Sequence, residues 1–183
     1  MGYEAALSKG WSDVESLSQE KTHQVQFLND TYTLNVEDKS ILSDACNIAA
    51  KPYLSILLLH YLAQSLKGLS SVKGEWITFQ QLSGGQAYYP VFSKRVVEPL
   101  IAKYGSNPQA LLDALKPYRA EPSGMADASV ILNVLEGVPI LIQLWGGDEE
   151  FKPNANMLFD KSIMDIFPTE DVVILAEIIV RTI

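Results

Sequence analysis

Alternating apolar and polar positions predict two β-hairpins in this chain. In the first, the alternation runs through residues 24–28 and 32–36, with turn-forming residues between them. In the second, two apolar runs within residues 128–145 flank the two-residue turn Glu136-Gly137, and glycine is favoured in such turns. Both strands of this second hairpin are apolar on both faces, so we expect the sheet that contains it to be covered on both sides.

Helical periodicity and helix-terminating residues account for much of the remaining chain. The segment 52–67 is apolar on nearly every face, which predicts a helix at the centre of the core. A last helix is predicted to begin with Thr169 as its capping residue, because two acidic residues follow it and carboxylates stabilise a helix N-terminus. Further helices are predicted at 3–17, 87–104 and 107–115, and short strands at 76–79 and 156–160.

The order of these elements predicts an α+β fold, in which an antiparallel sheet built from hairpins has helices packed against it. A chain of 183 residues is long enough to bury a substantial core without disulfides or metals. No internal repeat is visible, and no stretch rich in proline, glycine and serine divides the chain. We therefore expect one domain that spans residues 1–183.

The distribution of charge limits the classes of partner. The net charge is −8, and residues 101–183 carry six basic and twelve acidic side chains, whereas residues 1–100 are nearly balanced. Such a surface repels a polyanion, so nucleic acid and anionic membranes are poor candidate partners. Cationic or neutral small-molecule ligands and protein partners stay open.

The only cysteine, Cys46, bears on the compartment and on the cofactors. A single thiol can neither form an intramolecular disulfide nor hold an iron–sulfur cluster within one chain, which favours a reducing compartment. The small and apolar neighbours of Cys46 predict that it is buried. Residues 1–10 lack the apolar run of a signal peptide, and the most apolar stretch, 54–63, is shorter than the roughly 20 residues of a membrane span. We expect a cytoplasmic protein.

The first candidate site follows the most strongly predicted strand. Trp145 is followed by two glycines, three consecutive carboxylates and Phe151. Hard cations such as Mg²⁺ bind carboxylate oxygens, and a desolvated carboxylate pair can perform acid–base chemistry. Consecutive acids seldom point at one centre, however, so no metal site is assigned, and a solvent-exposed acidic loop is the simplest interpretation.

The second candidate site combines a strand with a pair of glycines. Trp76 lies in a predicted strand, and Gly84-Gly85 precede a predicted helix, where free backbone amides can bind an anion. A tight turn beside core aromatic residues is the simpler interpretation, because no known phosphate-binding or dinucleotide-binding glycine pattern is present. We predict that the two segments form one ligand site with the following residues: Trp76, Gly84, Gly85, Trp145, Gly147, Asp148, Glu149 and Phe151.

The remaining polar residues of apolar segments offer little for catalysis. His60 lies in the apolar central helix and is predicted to be a hydrogen-bonded core residue, whereas His23 is predicted to be exposed. Asn133 and Gln143 lie inside apolar strands, where a buried amide needs hydrogen-bond partners. We predict that they hydrogen-bond within the core, with the lining of a pocket as the alternative. No Ser/His/Asp or Cys/His arrangement can be inferred from the spacing, so catalytic residues are not assigned.

Three stretches of the sequence together resemble a known family. They are 74–79 with Leu82-Ser83-Gly84-Gly85, then the segment from Tyr89 to Gly105, and finally Trp145-Gly146-Gly147-Asp148-Glu149-Glu150-Phe151 followed by Met157-Leu158-Phe159-Asp160. From about residue 50 to its end the chain resembles the domain of unknown function 3786, a family of anaerobic bacteria and archaea without an assigned activity. The resemblance implies a link with corrinoid or one-carbon metabolism, and any iron–sulfur cluster would belong to a partner.

Three hypotheses of function follow from these observations. The favoured hypothesis is a non-catalytic small-molecule-binding or accessory module, whose ligand and cofactor are unidentified, and it requires the two candidate segments to lie together. The second is an enzyme that uses carboxylates or a divalent metal, which requires at least two of the four carboxylates Asp148, Glu149, Glu150 and Asp160 to converge in a pocket. The third is a structural or interaction homodimer, in which the apolar segment from Val172 to Ile183 packs against another chain.

Overall fold

The computed structural model describes residues 2–183 and contains two antiparallel sheets with helices packed against them. The smaller sheet has the order β1-β2-β3 and is formed by Thr22–Phe27, Asp30–Asn35 and Ser40–Ser43. The larger sheet has the order β4-β8-β7-β6-β5, and its strands in chain order are Trp76–Thr78, Glu121–Pro122, Ala128–Leu135, Val138–Trp145 and Asn154–Asp160. The predicted α+β class is confirmed, but the two predicted hairpins lie in different sheets.

The predicted helices begin and end close to their predicted positions, and one further short helix, Ile163–Ile166, was not predicted. In chain order, α1 to α7 are Glu4–Leu17, Pro52–Gly68, Gly85–Phe92, Glu98–Tyr104, Pro108–Leu115, Ile163–Ile166 and Thr169–Thr182. The predicted helix 87–104 is present as α3 and α4, which are joined without a break by one turn of π-helix, Ser93–Val97. Two short 3₁₀ turns lie at Phe79–Gln81 and Lys116–Tyr118.

Helix α2 lies at the centre of the core, as its apolar pattern predicts. Leu57, Leu58 and Leu59 are fully buried, although they point in three successive directions around the helix. Strand β7 is buried along nearly its whole length, because it lies in the middle of the larger sheet with both faces covered. No helix within residues 2–183 is both long enough and apolar enough to cross a membrane.

The prediction that Cys46 is buried is wrong. Cys46 is exposed, and it lies in a loop after β3 whose neighbouring alanines and isoleucine are exposed as well. The loop is held by polar contacts: the Asp30 carboxylate accepts a hydrogen bond from the amide of Ala45, and the Ser43 hydroxyl accepts one from the amide of Cys46. Small apolar neighbours in sequence do not bury a residue when no helix or sheet covers the loop.

Two predictions for polar residues in strands are also wrong. His23 is buried, because it lies on the same face of β1 as Val25 and Phe27, which contribute to the core. Asn133 is exposed on the same face of β6 as the half-buried Ile131, and it lines a cleft, which was the alternative to a core position. Gln143 is buried as predicted, opposite polar residues of both neighbouring strands.

The residue that caps helix α7 lies one position before the predicted one. Pro168 occupies the capping position, and the Thr169 hydroxyl instead donates a hydrogen bond of 2.8 Å to the carbonyl oxygen of Ser83, which ties α7 to the turn before α3. Most apolar side chains of α7 are buried within the chain, in contact with α2 and the π turn, whereas Ile174 and Ile178 are half-buried. The segment from Val172 to Ile183 therefore offers another chain less apolar surface than its sequence suggests, and the homodimer hypothesis stays a prediction.

Candidate functional site

The residues of the first glycine-containing segment have structural roles. Trp76 is half-buried in β4, and Gly84 precedes α3 with a φ of 71°, a conformation that glycine adopts without strain. A Cβ atom on Gly85 would lie 2.0 Å from the carbonyl oxygen of Phe79. Gly85 is therefore required for the close approach of α3 to the preceding 3₁₀ turn, and this requirement explains the glycine pair without a bound anion.

The acidic segment after β7 forms an exposed turn. One oxygen of the Asp148 carboxylate accepts hydrogen bonds from the backbone amides of Glu150 and Phe151, at 2.8 and 2.7 Å. These two amides lower the pKa of Asp148 below its ordinary value. Glu149 and Phe151 are exposed, and the amide of Gly147 donates to the carbonyl oxygen of Gly105. The carboxylate of Asp148 thus stabilises its own turn.

The two predicted segments, one with Trp76 and one with Trp145, lie beside opposite ends of strand β8. Trp76 of β4 pairs with Asp160 at the end of β8, whereas Trp145 of β7 pairs with Asn154 at its start. Six residues of extended strand separate these positions by about 20 Å. The helical stretch from α3 to α4 gives the same result, because it begins at Gly85 and ends beside Gly147. The eight predicted residues do not form one site, so the favoured hypothesis needs a different location.

The four carboxylates of the enzyme hypothesis do not converge either. Asp160 is 1% exposed and accepts hydrogen bonds from the amides of Lys73, Gly74 and Ser162, far from the exposed acids 148–150. Burial raises the pKa of Asp160, but these amides outweigh that effect and hold its pKa below the ordinary value. Within residues 2–183, no three His, Cys, Asp or Glu side chains are arranged so that they could hold a metal ion.

A groove of about 1110 Å³ lies among the helices, away from both predicted segments. It is bounded by residues at the start of α1 and α2, by the stretch from α3 to α4, and by the C-terminal half of α7. Its lining includes apolar and aromatic side chains from all of these helices: Tyr3, Tyr53, Pro90, Val91, Pro99, Ile174, Ile178 and Val180. This volume is sufficient for an organic molecule of several rings.

The charged residues of the groove are mostly basic, although the chain as a whole is acidic. The described residues that line it include four basic side chains, Lys51, Lys94, Arg95 and Arg181, and one acidic side chain, Glu177. Glu177 forms ion pairs with both arginines, at 3.5 Å to Arg95 and 2.5 Å to Arg181. The groove is therefore a local region of positive charge in a protein whose net charge is −8.

The π turn places two of these cations on the groove. The amide of Glu98 donates to the carbonyl oxygen of Ser93, five residues earlier, and this wide turn contains Lys94 and Arg95. Pro99 follows and has no amide hydrogen with which to continue an α-helical pattern. Single π turns within α-helices occur frequently at functional sites, because they displace side chains from the regular helical positions.

Two lysines of the groove have no ion-pair partner among the described residues. Ion pairs within 4.0 Å account for six of the lysines of the chain, and neither Lys51 nor Lys94 is among them. Both side chains belong to exposed residues at the rim of the groove. Their charge is therefore not neutralised by a neighbouring carboxylate of this part of the chain.

A smaller cleft of about 470 Å³ lies where the two sheets meet, close to the hydrogen bond from the amide of Leu28 to the carbonyl oxygen of Val134. Its charged residues are Arg119, Glu121 and Glu136. The cleft thus lacks the excess of positive charge that distinguishes the groove.

His60 and Asp171 form the closest histidine–carboxylate pair in the described part of the chain. The Nδ1 atom of His60 lies 2.5 Å from the Asp171 carboxylate, and Asp171 is in the first turn of α7. This hydrogen bond raises the pKa of His60, against the opposing effect of burial. Neither residue lines the groove or the cleft, so the pair is assigned to the packing of α2 against α7.

A comparison with family models identifies the family of this chain. A model described as "Domain of unknown function (DUF3786)" matches residues 13–182, nearly the whole chain. The chain belongs to the DUF3786 family. No curated protein and no solved structure matches it. The description of the family assigns no activity, so the function has to be argued from the geometry.

All five charged residues of the groove lie inside the region that matches DUF3786, whereas Tyr3 precedes it. The charged lining is thus built by the DUF3786 domain itself. Sequence reasoning missed it because the cations are separated by up to 130 positions and become neighbours only in the fold. The adjacent pair Lys94-Arg95 between two prolines was the one local signal in the sequence.

Proposed function

We propose that this DUF3786 chain is a cytoplasmic, non-catalytic module that binds a small molecule in the groove between α2, the α3–α4 stretch and α7. One observation carries the proposal: a concave surface of about 1110 Å³ combines apolar walls with convergent charged groups. Ligand sites in proteins typically have this combination, in which apolar contacts supply affinity and a few polar groups fix orientation.

The chemistry of the groove supports binding rather than catalysis. Glu177 is its only carboxylate within the described residues, and both of its oxygens are paired with arginines. Each carboxylate oxygen of Glu177 thus lies against a guanidinium group of the protein and is not directed at a substrate. The other charged residues of the lining are two lysines and two arginines, which are suited to holding a ligand in position.

The family resemblance adds a metabolic context to the proposal. A link with corrinoid or one-carbon metabolism stays a prediction, because it is based on the resemblance alone. An accessory role for a partner protein is compatible with it, since a module of this kind can hold a small molecule for another component.

Native mass spectrometry on protein purified without oxygen tests the proposal. The protein would be incubated with a deproteinised extract of an anaerobic bacterium, and its mass compared with that of the denatured chain. We expect a retained adduct of less than about 1 kDa, the size that fits a cavity of this volume.

A matched pair of variants assigns the adduct to the groove. Val91→Trp adds bulk to the groove wall, whereas Val72→Trp adds the same bulk at an exposed position outside it. The adduct should be lost in Val91→Trp and kept in Val72→Trp. An adduct that survives in both variants would place binding elsewhere, and no retained adduct in the wild-type protein would contradict the proposed function.

A further inference from the structure

We infer that the ligand of the groove is an organic anion, whose carboxylate or phosphate group is held by Lys94, Arg95 and Arg181. This inference rests on the proposed function and specifies the class of molecule.

The charge of the groove selects the sign of the ligand. Three of its four cations, Lys51, Lys94 and Arg95, come from residues 1–100, and Arg181 joins them only in the fold. Low-dielectric walls strengthen the field of such a cluster over a concave surface. An anionic group is therefore attracted into the groove, whereas a cationic group is repelled from it.

Glu177 contacts both arginines and leaves most of their donors free. Its carboxylate contacts Nη1 of Arg95 and Nη2 of Arg181, one nitrogen of each guanidinium group. A guanidinium group has five N–H donors in a planar fork that matches the two oxygens of a carboxylate or phosphate. The single acid among the described residues of the groove thus lies beside both arginines, and their remaining donors stay available to a ligand.

The lysines supply charge that the protein itself does not neutralise. Lys94 is next to Arg95 in the π turn, and Lys51 immediately precedes α2 on another side of the groove. Both lack an ion-pair partner among the described residues. By contrast, Lys9, Lys21 and Lys39 each form an ion pair with a carboxylate. An anion bound in the groove would neutralise the positive charges of Lys51 and Lys94.

The apolar wall requires that the anion is organic. Tyr53, Pro99 and Ile178 are half-buried residues of this wall. Inorganic phosphate would leave this surface in contact with water. A molecule with a ring or an aliphatic body would cover it, and the hydrophobic effect favours that burial.

Three probes that share one ring system test the sign of the charge. They are 2-naphthoate, 2-naphthamide and 2-naphthylmethylammonium, with charges of −1, 0 and +1. Each would be titrated into ¹⁵N-labelled protein while the amide shifts of 94, 95 and 181 are followed. We expect 2-naphthoate to bind about tenfold more tightly than 2-naphthamide, and the ammonium probe most weakly.

Lys94→Gln provides the variant, because Lys94 is exposed and unpaired, so its loss should leave the fold intact. Lys67→Gln is the matched control, since Lys67 is also an exposed lysine of a helix without an ion pair among the described residues but lies outside the groove. The affinity for 2-naphthoate should fall several-fold in Lys94→Gln and stay unchanged in Lys67→Gln. Added salt should weaken the binding of 2-naphthoate and leave 2-naphthamide unaffected.

The outcomes separate the inference from the proposed function. If 2-naphthamide shifts the groove amides with the same affinity as 2-naphthoate, the groove binds ligands without preference for anions, and only the inference is wrong. If none of the probes shifts the groove amides and the mass spectrum shows no adduct, the proposed function is wrong as well.

Discussion

The carboxylate of Asp160 accepts a hydrogen bond of 2.7 Å from the backbone amide of Gly74. The same carboxylate also accepts from the amides of Lys73 and Ser162, at 2.9 Å each, and is almost completely buried. One side chain at the end of β8 therefore fixes the loop that leads into β4 and the start of the segment that leads to α6. This network links the larger sheet to the turns at its edge.

We predict that Asp160→Asn lowers the free energy of unfolding by roughly 2–3 kcal/mol. The asparagine keeps the size of the side chain but removes the charge and places an NH₂ donor against backbone N–H groups, which leaves buried polar groups without partners. Urea denaturation followed by circular dichroism measures the change. Asp165→Asn is the control, because Asp165 forms an exposed ion pair with Lys73 and such pairs contribute at most about 1 kcal/mol.

The same network predicts a loss of stability in acid. The pKa of Asp160 lies below the ordinary value of 3.8 in the folded chain, so folding is favoured by the ionised form. The contribution is complete well above pH 3.8 and is lost as the pH falls through the folded pKa. Asp160→Asn should therefore unfold with a weaker dependence on pH in this range than the wild-type protein, and an identical dependence would contradict the assignment.

Local patterns predicted the elements of this fold because helices and hairpins are determined by neighbouring residues. The central position of α2 followed from its all-round apolar character. The burial of His23 could also have been predicted, since it has the same parity along β1 as Val25 and Phe27. The exposure of Cys46 could not, because it depends on whether a distant element covers the loop.

The groove could not be predicted from the sequence, for two physical reasons. Its cations Lys51, Lys94 and Arg181 lie on three elements that meet only after folding, and an average of charge over each half of the chain conceals them. The π turn depends on backbone hydrogen bonding that has no clear sequence pattern. The glycines and the Asp148 carboxylate of the predicted site instead have local structural roles.

The pair of His60 and Asp171 predicts that stability decreases as the pH rises from 6.5 through the folded pKa of His60. The hydrogen bond to Asp171 raises the pKa of His60 above 6.5, with Asp13 adding to the increase and burial and Lys9 opposing it. Folding therefore favours the protonated imidazole, and its contribution is complete below pH 6.5 and lost as the pH rises through the folded pKa.

An NMR titration of the His60 ring measures this directly, with His60→Gln to assign the resonance. In Asp171→Asn the pKa of His60 should decrease, because the burial that opposes protonation remains while the carboxylate is gone. Glu170→Gln is the control, since Glu170 is an exposed neighbour in the same turn of α7. An unchanged His60 titration in Asp171→Asn would show that the contact does not determine the pKa.

The adjacent glycines Gly84 and Gly85 should respond differently to the same substitution. Gly85→Ala places a Cβ atom 2.0 Å from the backbone oxygen of Phe79, so the backbone has to move, and we expect a loss of about 3 kcal/mol or more. Gly84→Ala meets open space and is penalised only by its left-handed conformation, by roughly 1–2 kcal/mol. Urea unfolding of both variants measures which one loses more stability. Equal losses would contradict the steric role of Gly85.

Gly10 of α1 packs against Leu59 of α2, and this contact predicts a further steric effect. A Cβ atom on Gly10 would lie 3.0 Å from Cβ and 3.1 Å from Cδ1 of Leu59, so Gly10→Val should force the two helices apart at a cost of about 1–3 kcal/mol. Ala6→Val is the control, because Ala6 is an exposed residue of the same helix and only the lower helix propensity of valine applies, under about 1 kcal/mol.

A double-mutant cycle with Leu59→Ala separates packing from helix propensity. The alanine removes Cδ1 and Cγ, two of the three atoms nearest to the position of the new side chain. Gly10→Val should therefore be less destabilising in the Leu59→Ala background than in the wild-type protein, and the difference is the interaction energy of the pair. Equal losses in the two backgrounds would mean that α1 tolerates the valine at this crossing and that the glycine serves another purpose.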